Sequence, residues 1–254
     1  MKPPRHPSHQ RGPLRVFARD YPDQHRIDRH QHPYAQFLYA SSGVMRLTTA
    51  RGRWLVPPLR GVWIPPRTPH AVAMEGPVAM RSLYVPAARC AGFPEACQVL
   101  KVRPFLRALI VEAALGDRPP DTAARGGLLG SLILLELERA AAEPLCVPLP
   151  RDPRLRRVCR SLLADPGGDW SLDRWAEEAG TSARTLARLF QAEFGMGFRA
   201  WRDQVRLSEA IARLGCGASV EAVARDLGYR GASAFIAMFH RNLGSSPRAY
   251  LDAE

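Results

Sequence analysis

The feature that most constrains this chain is a repeat in its C-terminal part. The stretch WAEEAGTSARTLARLFQAEFGMGFRAWR, beginning at Trp175, is echoed by VARDLGYRGASAFIAMFHRNLGSSPRAYL, beginning at Val223. Ala176 and Gly180 recur as Ala224 and Gly228 at an offset of 48. After one inserted residue the offset becomes 49: Leu186 recurs as Phe235, Phe190 as Phe239, Gly195 as Gly244, Arg199 as Arg248 and Trp201 as Tyr250. A chain that repeats its glycine and apolar positions repeats a unit of fold.

The first copy has the pattern of two helices about a tight turn. Ser171 can cap a helix, with Arg174 where a capping box would carry Glu. Leu172, Trp175, Ala176 and Ala179 fall on one face, and Gly180 can end the helix because it tolerates positive φ. Ser182 can cap a second helix that turns Leu186, Leu189, Phe190 and Phe194 inward. Its opposite face carries Arg184, Ala187, Arg188 and Gln191 at spacings of three and four. This is the physics of a helix-turn-helix, and the front suits a major groove: Arg can fork onto guanine and Gln can pair with adenine.

In the second copy VEAVARDL is the support helix, Gly228 the turn and GASAFIAMFHR the second reading helix. Phe235, Met238 and Phe239 face inward. The outward set of Ala232, Ser233, Ile236, Ala237 and His240 has almost no long polar side chain. Ser233 can touch a base edge or a phosphate, Ala237 and Ile236 can meet thymine methyls, and Arg241 is better placed for phosphate. The first copy is therefore expected to carry most direct readout and the second mostly to fix register. Between them FRAWRDQVRLSEAIARLG reads as one connecting helix, with Trp201, Val205, Ile211 and Leu214 along a stripe. A stiff connection suits two successive major grooves, which recur on one face of DNA every ~34 Å.

Residues 155–251 resemble the DNA-binding domain of AraC/XylS-type bacterial transcription regulators. The resemblance rests on the order A…AG.S.R.L.R.F….G followed by A..LGY…SAF…F….G.SP..Y. It implies two helix-turn-helix units on a linking helix. Members often carry Arg or another long polar residue where this chain has Ala237, a departure that takes direct reading away from the second unit.

Bulk charge does not carry the nucleic-acid argument. The net charge is +12, but residues 1–150 hold 20 Lys and Arg against 11 Asp and Glu, while residues 151–254 hold 16 against 13. The argument rests on where individual arginines point. The five cysteines are scattered, with no CxxC pair, which fits a reducing compartment. The N-terminal MKPPRHPSHQRGP lacks the apolar core of a signal peptide, and GLLGSLILLELERA is too short and too acidic for a membrane span. A cytoplasmic protein is expected.

The N-terminal half reads differently. YAQFLYA, GVMRLTT, RWLVPP, GVWIPP, HAVAM and AMRSLYVP are short β-rich runs punctuated by Gly and Pro, which suggests a sandwich or small barrel. FLRALIVEAAL and LLGSLILLELERAA then read as helices. The second is apolar nearly all round and should be buried, either inside its own domain or against a partner chain. EPLCVPLPRDP, with four prolines, marks a domain boundary.

His30 and His32, then Gln36 and Gly43, and later Pro65 and His70 resemble the two cupin motifs HxH(x)3E(x)6G and PxGxxH. In metal-binding cupins the matching histidines and the Glu converge on one ion. Two departures matter: Gln36 stands for the acidic ligand, and Arg67 stands where the second motif has Gly. His30 and His32, at i and i+2 on a strand, share a face. A neutral amide is a poor ligand for a hard or borderline divalent ion. The histidines are therefore expected to hydrogen-bond in a pocket with Gln36 rather than hold a divalent metal, with Tyr34, Phe37, Tyr39 and Trp63 as candidate walls.

Together these readings give an α+β chain: a cupin-like β-barrel effector domain over 1–98, a helical linker or dimerisation region over 99–143, and a double helix-turn-helix domain over 144–254. The function expected is a sequence-specific, non-enzymatic transcription regulator. It would bind promoter DNA through Arg184, Ala187, Arg188, Gln191, Ser233, Ala237 and Arg241. A small molecule in the pocket of His30, His32, Gln36 and His70 would control it, and a homodimer is the candidate assembly. The alternatives are a metal-dependent cupin enzyme fused to a DNA-binding domain, and a regulator that responds to a metal itself.

Overall fold

A computed structural model describes residues 13–115 and 123–251. The chain divides into two compact units at Leu145/Cys146, with Arg51–Arg53 counted in the second.

The first unit is built on strands β1 (Arg15–Tyr21), β2 (Arg26–His30), β3 (Ala35–Thr49), β4 (Gly52–Val56), β5 (Arg60–Ile64), β6 (His70–Val85), β7 (Gln98–Lys101) and β8 (Ala142–Glu143), with helices α1 (Pro104–Ala114) and α2 (Ala123–Glu138) between β7 and β8. The sheet runs β1-β6-β3-β5-β7-β8, with β2 also on β6 and β4 also on β3. YAQFLYA and GVMRLTT are one long strand, β3, and HAVAM and AMRSLYVP are likewise one, β6. The two pair antiparallel from Ala35↔Val85 to Thr49↔His70, with register shifts around Ser42. There Gly43 takes φ 82°, and a side chain on it would collide with the Pro77 carbonyl and Val78. Glycine thus permits both the left-handed backbone and the close approach. β2 pairs with the first part of β6 and β1 with the last part, so β6 serves both ends of the sheet.

Strand alternation decides what each β3 face meets. Ala35, Phe37 and Tyr39 join Trp63, Leu83 and Val85 in one core with Leu106 and Ile110 of α1 and Ile133, Leu134 and Leu137 of α2. Residues 99–143, read from sequence as a joining region, supply strand β7 and both helices of this core. Within its own unit α2 is buried on one side only. Ile133 and Leu137 are buried, but Leu128 is 74% and Leu135 48% exposed. One face meets the sheet; the leucines seven apart, two turns along, lie on the other.

The second unit opens with β9 (Cys146–Pro148) and continues as α3 (Pro153–Ala164), α4 (Leu172–Glu178), α5 (Ala183–Phe194), α6 (Phe198–Gly215), α7 (Val220–Asp226), α8 (Ala232–Leu243) and α9 (Pro247–Leu251). Local chemistry marks the boundaries. Ser171, Ser182 and Ser219 cap α4, α5 and α7, each accepting from the N–H three residues on. Asp152 caps α3, and its own N–H and that of Arg151 donate to the Glu193 carboxylate of α5. Gly195 and Gly244 end α5 and α8 in the left-handed region. Leu155, Val158, Trp175, Leu186, Phe190, Trp201 and Val205 share one core. Trp201 is fully buried and donates its indole N–H to the Pro148 carbonyl at 3.0 Å.

Candidate functional site

Two features stand out, one in each unit. In the second unit the two repeated helices bury equivalent positions. α5 turns Leu186 and Phe190 inward, and α8 turns Phe235, Met238 and Phe239 inward. The outward faces follow from the same periodicity. Arg184, Ala187, Arg188 and Gln191 are exposed on α5; Ser233, Ile236, Ala237 and His240 are exposed on α8, and Ala232 is half-buried. The α5 face thus offers twelve N–H donors on Arg184, Arg188 and Gln191, whereas the α8 face carries short or apolar side chains apart from His240. Arg241 is exposed and lies 3.7 Å from Asp203 of α6, a weak surface pair that a stronger anion can displace.

Arg206 was read from sequence only as part of the connecting helix. It is 95% buried, and its guanidinium donates to the carbonyls of Pro166 (2.9 Å), Gly168 (3.3 Å) and Gly167 (3.4 Å). It also stacks over the Tyr229 ring at 5.3 Å. Gly167 itself sits against the second unit's turn, where a side chain on Gly228 would collide with the Gly167 carbonyl. One buried cation therefore ties the loop entering the first helix-turn-helix, the connecting helix and the turn of the second. A charge in a helix stripe reads as solvated from sequence. The only hint was that α6 has apolar residues on several sides.

In the first unit His30 of β2 lies directly across from His70 of β6, and His32 follows two residues later. The ring centroids are 4.4 Å apart for His30–His70, 5.2 Å for His32–His70 and 6.0 Å for His30–His32. One ring nitrogen from each lies within 4.8 Å of the others. Each Nδ1 faces a backbone carbonyl two residues away: His30 to Asp28 (2.9 Å), His32 to Tyr34 (2.7 Å) and His70 to Thr68 (2.8 Å). A carbonyl only accepts, so Nδ1 of His30 and of His70 carries the proton and donates. Gln36 Oε1 lies 3.0 Å from His32 Nε2, so both ring nitrogens of His32 face acceptor oxygens, and Gln36 Nε2 donates to Ser82 Oγ at 2.9 Å. Burial lowers the His32 pKa, against the pull of the Gln36 and Tyr34 hydrogen bonds, and favours the neutral ring. Burial likewise pushes the Tyr84 phenol well above its ordinary value.

All four residues singled out here from sequence come together. The expected walls do not all follow. Tyr34 stacks on His32 at 4.6 Å, but Phe37, Tyr39 and Trp63 belong to the core with α1 and α2. Gln36 and Phe37 are neighbours on a strand and point to opposite faces, so both cannot line one pocket. The ring that sequence reasoning missed is Tyr84, which pairs opposite Gln36 in the β3–β6 register and lies edge-on to His32 at 5.6 Å. Arg67, at the motif's glycine position, keeps a left-handed backbone (φ 57°), and its N–H donates to the His32 carbonyl at 2.8 Å.

Residues 12–182 match the AraC-like ligand binding domain family, and residues 175–253 match a helix-turn-helix domain family. The chain is 31% identical over 222 residues to the HTH-type transcriptional regulator NimR of Escherichia coli (strain K12), covering 87% of this chain and 81% of that protein. It is 41% identical over 99 residues to the transcriptional activator NphR of a Rhodococcus species, covering 38% of this chain and 28% of that one. Among solved structures, ToxT from Vibrio cholerae aligns over 94% of this chain and 97% of its own, with a TM-score of 0.39 and 11% identity.

Proposed function

The chain belongs to the AraC family of helix-turn-helix transcription regulators, and on that premise we propose that it reads promoter DNA with two unequal helix-turn-helix units under the control of an effector bound by its N-terminal unit. In this reading α5 enters a major groove, where Arg184, Arg188 and Gln191 contact base edges and Ala187 allows close approach. α8 enters the next groove, where Ser233 and Ala237 make short contacts and Arg241 holds phosphate. The observation that carries the reading is the asymmetry of the two outward faces on helices whose inward faces match.

The domains assigned are 1–98 for the effector, 99–143 for a homodimer contact through the exposed Leu128 and Leu135, and 144–254 for DNA. His30, His32, Gln36 and His70 are the effector site. The protein acts without catalysis, in the cytoplasm; no helix among the described residues is long and apolar enough to cross a membrane.

The test is a selection of genomic fragments by the full chain and by residues 144–254. A shared motif of two elements one helical turn apart is expected, with the element read by α5 better defined. No enrichment by either protein, at low or moderate salt, would refute the reading.

A further inference from the structure

We infer that Arg206 sets the spacing of the two DNA-reading helices: its buried guanidinium clamps the loop entering the first helix-turn-helix to the turn of the second, and so decides which separation of two DNA elements the chain accepts. Arg206 is a positioning residue, since it is 95% buried and acts through other groups. This rests on the reading of α5 and α8 as a pair of groove readers, and it names the residue that makes them a pair.

A connecting helix alone does not fix two units. α6 is 18 residues long, which sets a length of about 27 Å along its axis. It leaves the second unit free to turn about that axis unless a contact off the axis holds it. Such a contact exists. The loop between α3 and α4 meets the end of α7 and the turn after it at backbone distance. A side chain on Gly167 would collide with the Asp226 carbonyl, and one on Gly228 with the Gly167 carbonyl. The carbonyls of this loop are acceptors only, and Arg206 brings the donors from the middle of α6.

The chemistry of the clamp favours control of arrangement over raw stability. Its Nε donates to the Pro166 carbonyl at 2.9 Å, and one terminal nitrogen to those of Gly168 and Gly167 at 3.3 and 3.4 Å. A planar fork reaches three oxygens in fixed geometry, which a lysine ammonium on a flexible stem does not match. The guanidinium also lies over the Tyr229 ring, and that ring packs edge-on against Phe235 at 5.6 Å. Phe235 is an inward residue of α8, so the contact runs from the first unit's loop to the second reading helix. The acceptors are all neutral carbonyls. A buried charge without a counter-charge is costly, and a well-packed apolar side chain often serves stability as well. The best-attested use of such a group is to select one arrangement among several.

The repeat supplies a control within the molecule. Gly180 and Gly228 occupy equivalent turns, yet a side chain on Gly180 would meet open space. A clamp needed by the turn itself would appear at both; this one appears only where the second unit meets the first. The outward face of α8 explains why its placement matters. Ser233 and Ala237 are short, so they reach a groove only if the helix is held in place, whereas the long side chains of Arg184 and Arg188 can extend to their targets.

The experiment measures binding of the full chain to three DNAs: the selected two-element site, that site with two base pairs inserted between the elements, and the element read by α5 alone. Two base pairs move the second element by about 7 Å and turn it by roughly 70°. Wild type is expected to lose about 10-fold or more on the insertion, the worth of the displaced contacts. Arg206→Met keeps an apolar stem without the fork. It should lose about 10-fold on the selected site, bind the single element as wild type does, and bind the two spacings nearly alike. Arg206→Lys keeps the charge and should fall between. An undiminished spacing preference in Arg206→Met overturns the clamp, as does an equal loss on all three DNAs, which marks a residue needed only for the fold. If circular dichroism shows Arg206→Met unfolded, the same comparison is read from Arg206→Lys; two unfolded variants also overturn the clamp. A wild type indifferent to spacing refutes the two-groove reading itself, whereas a wild-type preference that survives in both variants refutes the clamp alone.

Discussion

Single side chains separate reading from positioning on the DNA-binding faces. Arg188 is exposed in the middle of the outward face of α5, whereas Arg241 sits near the end of α8 beside Asp203. Arg188→Ala is expected to cost about 1–3 kcal/mol on the preferred site and to relax base choice there. Arg241→Ala should weaken all sequences alike and reduce the salt slope by about one. Equal, sequence-independent losses in competition binding would contradict the assignment. Arg67 offers a test in the other unit. Its φ of 57° costs a non-glycine residue roughly 1–2 kcal/mol, while Gly at the same place raises unfolded-state entropy by a comparable ~0.5–1 kcal/mol. Arg67→Gly should therefore be neutral to slightly stabilising and Arg67→Val clearly destabilising in urea unfolding, because a β-branched residue resists that backbone. A tolerated Val would show that the turn is not held as described.

Between elements, the repeat is symmetric in its local signals and asymmetric in its packing. Gly180 and Gly228 both turn left-handed, at φ 66° and 75°. A side chain on Gly180 would meet open space, but one on Gly228 would meet the Gly167 carbonyl and the Arg206 guanidinium. Gly180→Ala should cost about 1 kcal/mol, the backbone term alone, and Gly228→Ala distinctly more. Equal losses in chemical denaturation would remove the proposed lock at Arg206. The start of α3 carries a pH-dependent contribution. The Arg154 guanidinium, helped by the Arg154 and Leu155 amides, lowers the Asp152 carboxyl to about 2. A depressed folded-state pKa stabilises above the unfolded value of ~3.9, and that stability is lost as pH falls through about 2. Asp152→Ala should lower the stability of the second unit by ~1 kcal/mol at neutral pH, and the difference from wild type should shrink in acid melts below pH ~4. A difference unchanged at low pH would mean the carboxylate is not the cap.

At the scale of the whole molecule, the exposed leucines of α2 bear on assembly. Leu128 and Leu135 form a stripe that the first unit leaves uncovered, and a second copy of the same chain is the simplest cover, since most soluble oligomers are two-fold dimers. The full chain should sediment as a dimer and Leu128→Ser with Leu135→Ser as a monomer; a monomeric wild type would exclude this contact. The sequence by itself determined the repeat, the helix boundaries and the residues of the histidine cluster. Serine caps, left-handed glycines and apolar spacing act within a few residues, and His30 and His32 are neighbours in sequence, at the end of β2 and two residues past it. Only the tertiary structure decided that Phe37 and Trp63 turn to the helices and away from the histidines, that α2 keeps an open face, and that Arg206 is a buried tie. Those outcomes depend on which distant surface each element meets. Strand pairing such as His30 with His70, forty residues on, and the desolvation of a charge are properties of packed layers, which local sequence chemistry does not encode.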